Sequence, residues 1–311
     1  MSKTTQISLT SDGCELYGEL LEPRQSDTIA LIVAGFGPID RNGNQPNERN
    51  GSLKHLAQAL ALMGCASIRY DKRGIGASSF YGLSESELSF DDYINDAKNW
   101  VRYIAARLTQ YKHIVLIGLG EGALITSLIA TMPCVDKMIM IAASSLNRQK
   151  LLRLQLSSLP EPYRGEAISI LDSLAANKPV AEVSESLSHL FRPSVQPYLR
   201  SLFRYEPVDE LARVNVPILL VYGDNDLEIG ELNGLALESA QPKAQYCVIK
   251  GMNHVLRTVG EDYESNRAAY NNPEQPLALE FVRQLRRFMQ VTAPQSDYHG
   301  NGGFDENSER H

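Results

Sequence analysis

Short, continuous apolar runs separated by helix-length stretches constrain this chain more than any other feature. The runs fall at residues 29–34, 66–70, 114–118, 138–142, 218–222 and 246–249. Continuous apolar character, without alternation, suits strands buried on both faces of a parallel sheet. Between them, 52–63, 90–108 and 121–130 carry apolar residues at helical spacing, with Ser52 and Ser89 placed as N-caps. Strand, helix, strand, repeated, predicts a wound α/β sheet. Ahead of it, alternating segments at 6–9 and 15–21 flank Ser11-Asp12-Gly13, which has the composition of a hairpin turn. An antiparallel edge is expected there.

The alternation stops between residues 144 and 213. That stretch has only leucine-rich helical pattern: Leu151, Leu152, Leu154 and Leu156, then Ile168, Ile170, Leu171 and Leu174, then Leu187, Leu190 and Phe191. The expected organisation is an α/β body of 1–143 and 214–290, with a helical cap of 144–213 over the carboxyl edge of the sheet. The cap leucines are read as core between cap and body. Residues 291–311 are polar and rich in Gly and Asn, the composition of a disordered tail. At 311 residues, one large body with an insertion is sufficient.

Charge narrows the partner. The formal net charge is −7 and there is no Lys/Arg-rich run, which argues against nucleic acid or an anionic membrane and for a small-molecule ligand or substrate. The opening residues lack an apolar segment and no stretch approaches the roughly 18 apolar residues of a membrane span. A cytoplasmic location is expected. Cys14, Cys65, Cys134 and Cys247 are scattered singly, without a C-x-x-C pair or a His-rich cluster. They read as reduced packing residues, and neither a metal nor a cofactor is expected. Oligomeric state leaves no trace in the sequence.

The segment from Ile114 through Gly118-Leu119-Gly120-Glu121-Gly122-Ala123 passes from a buried strand directly into a helix. A G-x-S-x-G elbow has this layout: a nucleophile on a strained strand-to-helix turn, with small residues two before and two after it. Gly118 and Gly122 keep the spacing, but Gly120 holds the middle position, so no hydroxyl is presented there. The same letters match the dinucleotide fingerprint G-x-G-x-x-A. That reading needs an acid at the end of the next strand, about 20 positions on. The next run ends in Ala143-Ser144-Ser145, and Asp136 stands at its wrong end. Nucleotide binding stays open as the least supported alternative.

Two later positions complete a pattern. Residues 218–222 lead into Gly223-Asp224-Asn225-Asp226, which supplies two candidate acids after a late strand. Of the six histidines, only His254 follows the last strand directly; His299 and His311 lie in the tail, His189 in the insertion, and His55 and His113 in or before ordinary elements. Elbow, acid and histidine thus occur in the order seen when a nucleophile elbow is served by a late acid–base pair.

With these motifs the chain resembles the α/β-hydrolase superfamily, in its serine-aminopeptidase-like esterase and acyl-hydrolase branch, over roughly residues 7–289. Ala34-Gly35-Phe36-Gly37-Pro38-Ile39-Asp40-Arg41-Asn42-Gly43-Asn44 is similar to the oxyanion loop of that branch, and Arg69-Tyr70-Asp71-Lys72-Arg73-Gly74-Ile75-Gly76-Ala77-Ser78 to its R-x-D-x-R-G-x-G-x-S stretch. The segment from Phe191 to Pro207 resembles the end of a cap. The resemblance implies Asp226 as the acid, His254 as the general base, Gly120 in place of the nucleophilic serine, and the Phe36 and Glu121 amides as oxyanion donors. Leu119 and Phe36 also depart from the His and Ser common at those positions. Arg73, Gly74, Gly76 and the 40–44 run read as loop scaffold.

Four functions remain open: a hydrolase homologue that acts on or binds a small acyl or ester ligand with its covalent step lost at Gly120; a pseudoenzyme serving as a binding or regulatory module; an Asp226–His254 general-base enzyme without an acyl-enzyme; and the nucleotide-binding protein above. Turnover is therefore left open. A nucleophile relocated to Ser144 or Ser145 would need to come within about 3 Å of the base.

Overall fold

The computed structural model describes residues 2–79 and 82–290. The expected disordered tail lies outside the described residues. Strands β1 (Lys3–Ser11) and β2 (Cys14–Glu22) form the hairpin, in register Ser11 to Cys14. Asp12 and Gly13, with φ of 47° and 78°, supply the left-handed pair that a two-residue turn of this hand demands.

The winding then follows in order: β3 (Thr28–Val33), α1 (Ser52–Leu62), β4 (Ala66–Tyr70), α2 (Phe90–Arg107), β5 (His113–Leu119), α3 (Glu121–Ile129) and β6 (Val135–Ile141). Helices α4 (Arg148–Leu156), α5 (Tyr163–Ala175), α6 (Glu185–Phe191), α7 (Gln196–Leu202) and α8 (Pro207–Ala212) come next. The chain returns to the sheet with β7 (Ile218–Gly223), α9 (Leu232–Ala240) and β8 (Gln245–Ile249), and the described part closes with α10 (Tyr263–Ala268) and α11 (Leu279–Gln290).

The eight strands make one sheet in the order β1-β2-β4-β3-β5-β6-β7-β8. Its first two pairings are antiparallel and the rest parallel. Every residue of β4 and β7 is buried, as are Ile114–Leu119 of β5, which is why these strands read as unbroken apolar runs. Helices α2, α3, α8 and α9 pack in succession against one another, while α5 gathers α4, α6 and α7 around it.

Caps show where local chemistry was legible. Ser89 caps α2 as expected: its hydroxyl accepts from the Asp92 amide at 3.3 Å and its own amide donates to Asp92 Oδ2 at 2.7 Å, a reciprocal capping box. Ser52 does not cap α1. It is the first helical residue, Gly51 takes the cap position with φ 63°, and the Ser52 amide donates to Asn50 Oδ1 at 2.9 Å. A left-handed glycine preceded by an Asn acceptor has displaced the serine from the role its type suggested.

Candidate active site

Parallel strands send their following loops to one edge of the sheet, where sites of this architecture assemble. A cavity of about 450 Å³ opens at that edge, with Phe36, Gly120, Glu121, Ser144, Glu228 and His254 in its wall. Leu151 and Leu190, expected only as core between cap and body, also line it, and Leu154 is exposed to solvent. His189, set aside in the sequence because of its place in the insertion, faces the same space.

Gly120 joins β5 to α3 with φ 52° and ψ −116°, a conformation that L side chains enter only under strain. Its amide donates to Ile141 O at 2.9 Å, tying the turn to β6. The flanking glycines answer a different need. A Cβ at Gly118 would lie 2.4 Å from Gly122 O, and one at Gly122 would lie 2.2 Å from Val33 O. The spacing read from the sequence is therefore a requirement of helix–strand approach. At Gly120 itself the nearest atom to a Cβ is Gly35 Cα at 3.8 Å, so a side chain has room there.

The 35–39 loop is held from beneath by Lys72. Its buried ammonium donates to Gly35 O at 2.5 Å and Gly37 O at 3.0 Å. Neither the Phe36 amide nor the Glu121 amide donates to another backbone carbonyl among the described residues. The 40–44 run is scaffold, since Asp40 Oδ1 accepts from the Asn42 and Asn44 amides at 2.8 and 2.9 Å. Arg73 is engaged with Asp96 inside α2.

Of the two candidate acids, Asp226 meets the histidine. Its Oδ2 lies 2.8 Å from His254 Nδ1, and its Oδ1 accepts from the Glu228 and Ile229 amides at 2.8 and 3.0 Å. Asp224 instead accepts from the Gly251 amide at 2.5 Å, bracing the turn before His254. The histidine loop is pinned from below by Asn253 Oδ1, which accepts from the Arg257 amide at 2.9 Å, and by Arg257 Nη2, which donates to Asn50 O at 2.6 Å.

The far ring nitrogen has an unforeseen neighbour. His254 Nε2 lies 3.6 Å from Glu228 Oε2, and Glu228 Oε1 accepts from the Tyr270 hydroxyl at 2.8 Å. Burial works against a charge on His254, but the Asp226 and Glu228 carboxylates outweigh it and push its pKa up to about 9. Burial likewise opposes ionisation of Asp226, and the imidazolium together with two amide donors holds its carboxyl below the ordinary value. The pair is therefore an ion pair at neutral pH. Among the described residues no hydroxyl hydrogen-bonds to His254: Ser144 Oγ donates to Leu146 O and Ser145 Oγ to Asn233 Oδ1.

Asp226→Asn should move the His254 titration from about 9 back toward its ordinary value, as read from its ring-proton NMR shifts. A histidine whose folded pKa is raised contributes stability in full below its unfolded pKa and loses it as pH climbs through the folded one. The stability deficit of Asp226→Asn, about 1.5–3 kcal/mol, should thus be largest just below pH 6.5 and shrink toward pH 9. An unchanged titration would show that Asp226 does not govern His254.

Glu228, Tyr270, Tyr198 and His189 all line or support the site and were missed from the sequence. Tyr198 donates to Glu121 Oε1 at 2.5 Å from α7, fixing the side chain that follows the elbow. Only Glu228, two positions past Asp226, had a local signal. Among the described residues, no cluster of three or more His, Cys, Asp or Glu is placed to hold a metal ion, and no helix is long and apolar enough to cross a membrane.

Comparison with known proteins places this chain among hydrolases. A family model described as "Serine aminopeptidase, S33" matches residues 46–258. Esterase EstD of Thermotoga maritima is 23% identical over 257 residues, covering 78% of this chain and 58% of that protein, so the chain spans less than two thirds of this relative. Among solved structures, Est1E from Butyrivibrio proteoclasticus matches with a TM-score of 0.60 at 16% identity, over 91% of this chain and 97% of that one. The Pyrococcus furiosus esterase Pf2001 matches with a TM-score of 0.57 at 14% identity, over 92% and 90%. Likeness at such identities speaks for a shared fold.

Proposed function

Because the chain belongs to the serine aminopeptidase family of α/β-hydrolases, we propose that it is an esterase-type homologue that binds a small acyl or ester ligand in the cavity at the carboxyl edge of its sheet, with the covalent serine step lost at Gly120. Residues 144–213, which carry α4 to α8, serve it as a cap over that cavity. The observation that carries this is the elbow: a strand-to-helix turn with φ 52° at Gly120, flanked by glycines that space alone requires, beside a histidine paired with a buried acid. In the family's chemistry a serine at that turn attacks the ester carbonyl, the histidine takes its proton, and two amides hold the oxyanion. Here the Phe36 and Glu121 amides and the Asp226–His254 pair are the counterparts, and the attacking oxygen has none.

Direct activation of water by His254 is the second reading, favoured by the intact Asp226–His254 contact. A pKa of about 9 works against it, because a general base must be neutral to accept a proton. Hydrolysis of p-nitrophenyl butyrate separates the two. Loss of the nucleophile costs on the order of 10⁶ in turnover, while oxyanion donors and binding alone keep roughly 10³–10⁴ over water. Near-background hydrolysis by the wild-type protein at pH 7 is expected. Robust turnover that rises toward pH 9, falls with His254→Ala and ignores Ser144→Ala and Ser145→Ala would establish water activation instead.

A further inference from the structure

One cation in the cavity wall makes no direct ion pair or hydrogen bond among the described residues. Arg148, the first residue of α4, lines the cavity and stacks its guanidinium on Phe36, 3.7 Å from the ring centroid. Its Nε is buried without a hydrogen-bond partner, and it joins no ion pair among the described residues. Glu121 and Glu228 act on it only through space: Glu121 Oε1 accepts from the Tyr198 hydroxyl while its Oε2 is buried without a hydrogen-bond partner, and Glu228 accepts from the Tyr270 hydroxyl and lies beside His254.

A guanidinium keeps its charge in any protein environment, and a charge withdrawn from water without a partner is costly. Burial disfavours the charged form of Arg148 first, and the more distant Glu121 carboxylate offsets this only in part. Its planar fork matches a carboxylate, and the ring beneath holds it flat. Leu124, Leu146 and Leu151 supply apolar wall in the same cavity.

We infer that the ligand of this cavity carries a free carboxylate, which Arg148 binds, so that the acyl or ester compound it takes is a half-ester of a small dicarboxylic acid type with an apolar body. The inference rests on the proposed function, in that the cavity is taken as the ligand site. With the ester carbonyl at Gly120 and the carboxylate on the Phe36-stacked guanidinium, the apolar body lies along the leucines of the wall. A cavity of about 450 Å³ suits a compound of that size.

Titration calorimetry on the full chain with monoethyl adipate and with diethyl adipate at pH 7.5 tests it, since the two probes share one ethyl ester and differ in whether the other end is a free carboxylate or a second ethyl ester. Wild-type protein should prefer the half-ester at least tenfold, the effect of one charge-assisted pair. Arg148→Gln should abolish the preference, chiefly by weakening the half-ester, and Arg148→Lys should restore part of it, with thermal melts showing that each variant is folded. Equal binding of both probes by wild type, or a preference that survives in folded Arg148→Gln, would overturn the carboxylate assignment and leave the ligand cavity standing. If wild type binds neither probe at millimolar concentration, the ligand cavity fails together with the assignment.

Discussion

Gly120→Ser should convert an inert elbow into a reactive one at a measurable cost in stability. The turn has φ 52°, so a side chain there is strained by about 1–3 kcal/mol, yet the nearest atom to its Cβ is 3.8 Å away and nothing blocks it. Urea denaturation reads the strain. On the chemical side, the new Oγ attacks the ester carbonyl, His254 takes its proton, and the Phe36 and Glu121 amides receive the oxyanion. Because the Asp226 and Glu228 carboxylates push the His254 pKa up to about 9, its neutral form is the minor one at pH 7. Esterase activity in the variant should therefore exceed wild type at least tenfold and climb between pH 7 and 9. Adding Glu228→Gln removes a carboxylate 3.6 Å from Nε2 and should shift that rise to lower pH. A pH-independent rate would mean that His254 takes no part.

Gly122→Ala should be severely destabilising for a single added methyl. Its Cβ would meet Val33 O at 2.2 Å and Ala34 O at 2.7 Å, and both belong to the backbone at the end of β3, which cannot yield without breaking the pairing with β5. Overpacking of this kind commonly costs 1–3 kcal/mol, and a clash with fixed backbone exceeds that. A loss of about 4 kcal/mol or more is expected, against the 5–15 kcal/mol that stabilise an ordinary domain. Gly120→Ala is the control, with the same added methyl but free space and a strained φ; its urea midpoint should fall between those of wild type and Gly122→Ala. A Gly122→Ala protein within about 1 kcal/mol of wild type would show that helix and strand can separate.

Much of this was legible because it depends on periodicity and local order. Strands such as β4, at residues 66–70, were bounded correctly because burial on both faces leaves no polar interruption. The hairpin turn and the Ser89 cap are governed by residues within four positions of each other. The Ser52 cap failed because the choice between Ser52 and Gly51 turned on a left-handed φ and a neighbouring Asn50 side chain. In the candidate site, Asp226 was separable from Asp224 only through the family resemblance, and the 2.8 Å contact to His254 supplies the geometric reason. Arg148, Tyr198 and Tyr270 left no signal. Each sits on a helix or short turn far in sequence from Gly120, and its direction into the cavity is set by packing among α4, α5, α7 and the body, which no spacing encodes.

On the proposed reading, this site lacks one attacking oxygen while its other parts remain aligned. Intact-mass and peptide-mapping spectrometry after exposure to a fluorophosphonate tests it most directly, in wild type, Gly120→Ser and Gly120→Ser with His254→Ala. A single adduct on residue 120 of Gly120→Ser is expected, with none on wild type and a strongly slowed reaction when His254 is also removed. An adduct on wild-type protein that maps to Ser144 or Ser145 and depends on His254 would contradict it, as would a folded Gly120→Ser protein that never reacts.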